Sequence, residues 1–124
     1  MEFFITANIR ETEKKLQDTI TMDNIEQFCE SIVLLQQGTD TATIGSSWGE
    51  FQLSRQTING GLRFALTTCP NALAWTITSG YPPDPDKVVI HLTISRQEKS
   101  EEFVQSIVDF GNEWREGLEA IFQN

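Results

Sequence analysis

The chain has 124 residues and carries 18 acids against 9 bases, a net charge of −9. Its length fits one domain, residues 1–124, with a real core, and a composition of 39% hydrophobic and 22% charged residues excludes a disordered chain. The acidic balance repels phosphates, so nucleic acid is not an expected partner, whereas a basic protein is electrostatically favoured.

Cys29 and Cys69 lie far apart and match no metal-ligand spacing. They read as reduced, intracellular thiols. No stretch approaches the ~18 apolar residues that span a bilayer, and Met1-Glu2-Phe3 lacks the basic start of a secretory signal. The expected location is cytoplasmic, with no membrane contact and no cofactor.

Phe3, Ile5, Ala7 and Ile9 alternate with polar residues, which predicts a short extended start, followed by a helix from about Glu11. Asp23-Asn24-Ile25-Glu26 has the form of a capping box. Ile25, Phe28, Cys29, Ile32 and Leu35 recur at helical spacing up to Gly38, which predicts a helix over 24–37. Thr41 to Gly45 reads as a strand, and 46–49 as a turn or bulge.

Residues 50–68 form the clearest unit. Asn59-Gly60 is a strong two-residue hairpin signal of the type I′ kind. A loop of that length fixes the register: Ile58 faces Gly61, Thr57 faces Leu62, Arg55 faces Phe64 and Leu53 faces Leu66. One face then carries Phe51, Leu53, Leu62, Phe64 and Leu66, and the other is polar. Cys69-Pro70-Asn71 interrupts the second strand, since proline cannot donate to a ladder. Residues 72–79 and 87–95 resume as strands, with a stiff loop from Gly80 to Asp86 between them.

Ser100 is an expected N-cap for the last helix, with Glu101 and Glu102 suited to the positive end of its dipole. Phe103, Ile107, Phe110, Trp114, Leu118 and Ile121 make one apolar stripe. Gly111 is expected to permit close contact with the sheet, and Gly117 to lie exposed. The predicted fold is therefore α+β: a two-layer sandwich of about five antiparallel strands, with the N-terminal and C-terminal helices on one face.

The opposite sheet face carries Ser54, Gln56, Arg63, Ala65, Ala74, Thr76, Thr78, Val89, His91 and Thr93, and Arg63 is its full charge. A flat, weakly polar face invites pairing. It is read as a partner-binding platform or homodimer interface, or as an ordinary threonine-rich solvated face. Arg63, Thr76 and His91 are its candidate contact residues. Tyr81, beside Pro82 and Pro83, is a candidate contact because such side chains bind with little entropy lost. No catalytic constellation stands out. His91 is the single histidine and has no triad or metal spacing around it. Arg55 falls on the core face beside Phe64, so a pocket walled by Arg55, Trp75 and Trp114 would make a small-molecule site. The acids of the last segment (98, 101, 102, 109, 113, 116 and 119) make a second candidate surface, for a basic partner.

Residues 87–122 carry a long apolar strand, a polar turn, Glu102-Phe103 and a helix ending Trp114-Arg115-Glu116-Gly117-Leu118. This last third resembles the small acidic type III secretion chaperones. The resemblance implies an α+β, dimeric, cytoplasmic protein that binds unfolded segments without catalysis. The chain departs from that family at Cys69-Pro70-Asn71, which leaves no room for the family's dimer-building helix. Ser54 to Asn59 is similar to the strand-turn-strand of frataxins, which would imply metal on acids such as Asp18, Asp23, Glu26 and Glu30. Three expectations follow: a non-enzymatic, dimeric chaperone or adaptor; an immunity or inhibitor protein against a basic partner; or a small-molecule or metal-binding domain.

Overall fold

A computed structural model describes residues 1–95 and 100–123. The chain is α+β, and among the described residues seven strands form one antiparallel sheet: β1 (Glu2–Ala7), β2 (Val33–Gln37), β3 (Thr41–Ser46), β4 (Gly49–Ile58), β5 (Gly61–Leu66), β6 (Ala74–Ser79) and β7 (Val88–Thr93). Their order is β1-β7-β6-β5-β4-β3-β2, so β2 to β7 run as a meander while β1 crosses to the far edge. The helices are α1 (Glu13–Thr19), the single turn α2 (Ile25–Phe28) and the long α3 (Glu101–Phe122).

The central hairpin has the predicted register, with Leu53 opposite Leu66, Arg55 opposite Phe64 and Ile58 opposite Gly61. Its turn differs. Only Gly60 has a positive φ (+91°), and Asn59 does not, which is the type II pattern rather than type I′. The surroundings account for this. The Gly60 N–H donates to Glu13 Oε2 at 2.7 Å, and the Tyr81 ring occupies the space a Gly60 Cβ would need. The Gln17 amide donates to the carbonyls of Ile58 (3.1 Å) and Gly61 (3.0 Å). Helix α1 therefore grips the hairpin tip.

The sheet has seven strands where about five were expected, and the helix predicted over 24–37 accounts for part of the difference. Only Ile25–Phe28 is helical, and Val33–Gln37 is the edge strand β2. The cap is made two residues earlier: the Thr21 N–H donates to Asn24 Oδ1 at 2.9 Å. Asp23 instead accepts from Gln37, and Glu26 accepts from the Leu34 N–H at 3.0 Å. Gly38 is no helix stop; it lies in the β2–β3 turn, its N–H donating to Thr41 O at 2.8 Å.

The N-cap of α3 is as expected, with Ser100 Oγ accepting from the Phe103 N–H at 3.2 Å. Ile107, Phe110, Trp114 and Leu118 are buried, whereas Ile121 is exposed. Phe64, Leu92 and Trp114 share one core, in which the rings of Phe64, Trp75 and Trp114 lie 5.4–5.8 Å apart. A Cβ on Gly111 would meet Ile5 Cδ1 at 2.3 Å, the expected close approach. Gly117 is not an exposed bystander: a Cβ there would stand 2.1 Å from the Phe28 carbonyl oxygen.

Cys29, the residue after Phe28, is fully buried. Burial pushes its thiol up to about 12 from 9.0, with the nearby Glu113 carboxylate adding to the effect. Above pH 9 the unfolded chain releases this proton while the folded chain keeps it. Stability gained from Cys29 is therefore complete below pH 9 and is lost on rising toward 12, by up to about 1.4 kcal/mol per pH unit. Urea melts in strongly alkaline buffer are expected to destabilise the native chain more than a Cys29→Ala variant. In the folded protein a thiol reagent is expected to label half-buried Cys69 and spare Cys29.

Candidate functional site: the uncovered sheet face

The ladders align the outer-face side chains in rows. One row runs Phe4–His91–Thr76–Arg63–Gln56, across β1, β7, β6, β5 and β4. Crossing five strands, it is roughly 20 Å long. Three of the residues singled out from sequence, Arg63, Thr76 and His91, thus lie side by side. Thr76 is half-buried, and its row is flanked by buried Ala74 and Thr78. Ala65 and Val89, expected as open surface, are also buried, so the face is tightly packed and smooth.

Phe4 is the member of the row that sequence reasoning missed. It is 48% exposed, and its ring stacks on His91 with centroids 4.2 Å apart and planes 3° from parallel. His91 Nε2 lies 3.3 Å from Glu2 Oε2. Arg63 donates to Gln56 Oε1 at 3.3 Å and keeps its remaining donors available to a ligand. The missed signal was the alternation of residues 2–7: it puts Phe4 on the polar face, where an aromatic is out of place. Tyr81 is not in the row. It stands at the hairpin tip, 43% exposed, packed over Gly60.

The proposed pocket wall is not assembled. Trp75 and Trp114 are 1% and 0% exposed and fill the space between sheet and α3. Arg55 is turned to another task. Its Nε donates to Ile20 O at 2.9 Å and its Nη2 to Gln17 O at 2.6 Å, satisfying carbonyls at the C-terminal end of α1. Asp40 lies 3.8 Å from its Nη1. A hollow of about 440 Å³ does exist elsewhere, walled by Trp48, Phe51, Leu73, Phe103 and Ile107, with Cys69 on its lining.

The acids of α3 are partly spent inside the fold. Glu113 accepts from the Ser31 N–H at 2.7 Å, and Glu119 from the Asn8 N–H at 2.8 Å. Asp109 accepts from Gln105. Glu98 lies outside the described residues. The helix therefore offers a basic partner fewer free carboxylates than its sequence implies. Asp18, Asp23 and Glu26 each have a local partner, and among the described residues no group of three or more His, Cys, Asp or Glu could hold a metal ion. Among the same residues, no helix is long and apolar enough to cross a membrane.

Architecture and exposed face together define an open-faced α+β sandwich. Neither a known protein family nor a curated protein matches the sequence. Among solved structures the chain is similar to the protein XoxI from Bacillus cereus, with a TM-score of 0.63 over 99% of this chain and 96% of that one. At 12% identity the likeness shows the fold alone.

Proposed function

We propose that this chain is a non-enzymatic protein-binding module, a small acidic chaperone or adaptor whose uncovered sheet face receives another polypeptide. The observation that carries this reading is the row Phe4–His91–Thr76–Arg63. It combines an exposed phenylalanine stacked on a half-buried histidine with an arginine on a smooth floor of small side chains. Aromatics and arginine are the residue types that dominate binding energy at protein interfaces. Its length of roughly 20 Å accommodates one extended or helical segment. The acidic surround favours a segment with net positive charge, while Arg63 offers a fixed site for one carboxylate or carbonyl on it.

A photo-crosslinking residue at Thr76 tests this in extract of the native cell, with Glu116 on the exposed side of α3 as the control site. Adducts are expected from Thr76, at least tenfold reduced by Arg63→Glu, and absent from Glu116. Equal capture from both sites, or capture from Thr76 indifferent to Arg63→Glu, would overturn the reading.

A further inference from the structure

We infer that β1 pairs with β1 of a second copy, antiparallel about Phe4, so that one sheet runs through both molecules. This goes beyond the outer-face reading, because it rests on the backbone edge and not on the row's affinity for another protein.

The two edges of the sheet are not alike. At β2 the Leu34 N–H is capped by Glu26, and a bulge between Leu34 and Gln36 breaks the ladder. Both are devices that keep an edge from pairing. At β1 the parity of hydrogen bonding is set by Met1 and Ile94, which exchange both bonds (3.1 and 3.0 Å). Bonded pairs recur every second residue, so Phe3, Ile5 and Ala7 bond to β7. The N–H and C=O groups of Glu2, Phe4 and Thr6 point away from the sheet. Asn8, next in that series, has its N–H met by Glu119, which marks the end of the open stretch. Among the described residues no strand lies beyond β1. The strand carries no proline or lysine.

A second copy fits this edge better than an arbitrary strand does. Pairing Phe4 with Phe4 of the partner copy sets Glu2 opposite Thr6, so the strand's one charge meets a neutral hydroxyl and no like charge. All three facing pairs are then of the doubly bonded kind. The side chains of Glu2, Phe4 and Thr6 stay on the outer face, and the two aromatic pairs meet at the twofold axis. Since each copy carries −9, association is opposed by long-range repulsion and strengthens as salt screens it.

Sedimentation of the full chain from micromolar to millimolar concentration, at low and high salt, tests this. A monomer–dimer equilibrium tightened by salt is expected, with slowed amide exchange at Glu2, Phe4 and Thr6. Phe4→Lys and Phe4→Glu each set like charges against each other at the axis and are expected to weaken self-association roughly tenfold or more. Mixing the two variants restores a heterodimer. Thr6→Pro removes a donor the β1–β7 ladder does not use, and is expected to abolish the dimer while leaving the melting temperature near that of the parent. A wild type that stays single at every concentration and salt, a Phe4→Lys chain that pairs normally, or folded variants that fail to combine would overturn the inference. A chain that fails here and still crosslinks at Thr76 retains the outer-face reading alone.

Discussion

Replacing Gly117 by alanine is expected to destabilise the protein by about 3 kcal/mol or more, although alanine is the better helix former by ~1 kcal/mol. The new methyl would stand 2.1 Å from the carbonyl oxygen of Phe28 and 2.7 Å from its carbonyl carbon. Neither is the tip of a movable side chain, so α3 must lift from the last residue of α2. That lift also loosens the Glu113 bond to the Ser31 N–H and the Phe28–Trp114 ring contact, 6.1 Å between centroids. Gly111→Ala is the internal comparison. Its methyl meets Ile5 Cδ1 at 2.3 Å and Leu92 Cδ1 at 3.0 Å, both ends of flexible chains, and its cost is expected to be smaller. Urea melts of the two variants give the ranking, and a Gly117→Ala chain as stable as the parent would disprove the close approach.

The second large effect is expected at Arg55. Its side chain is only 12% exposed and spends two donors on the carbonyls of Gln17 and Ile20. Arg55→Met keeps most of the apolar stem and leaves those carbonyls without the guanidinium. The expected loss is about 2–4 kcal/mol, the range for removing two charge-assisted bonds at a partly buried site. Arg55→Lys is expected to recover only part of it, because an ammonium cannot span both acceptors in the guanidinium's fixed fork. Thermal melts give the magnitude. Amide exchange locates it: α1 is expected to open first, and with it the Glu13 and Gln17 contacts to the hairpin tip. Unchanged exchange in α1 would show that Arg55 does not anchor that helix.

The legible parts of this fold were those decided by near neighbours. The hairpin register followed from a two-residue loop, and the α3 cap from Ser100 and the acids after it. Arg55 was rightly placed on the core side, because alternation along β4 leaves it no other. Its role was not legible, since the acceptors lie 35 and 38 residues away in sequence. The same limit explains β2. Ile25, Phe28 and Ile32 keep helical spacing, and all are buried as a helix would require. Yet the chain leaves the helix after Phe28, where Glu113 takes the Ser31 N–H and Glu26 takes that of Leu34. A carboxylate from a distant helix competes for backbone groups that a longer α2 would have used. In the outer row, Arg63, Thr76 and His91 were found from strand alternation alone. Phe4 could have been marked as out of place from the alternation of residues 2–7, but its partnership with His91 was not legible, because it depends on the crossing of β1 to the far edge.

That crossing also orders events in time. Strands β2 to β7 can zip together in the sequence in which they leave the ribosome, each against the one before it. Residues 2–7 are made before the other strands, yet their berth beside 88–93 does not exist until β7 has emerged. Closing so long a loop is slow compared with turning a hairpin. Throughout that wait the flank of β7 is bare, and the β1 segment of a neighbouring nascent chain fits it as well as its own. Crowded synthesis therefore favours exchange of this strand between molecules, a hazard written into the topology itself.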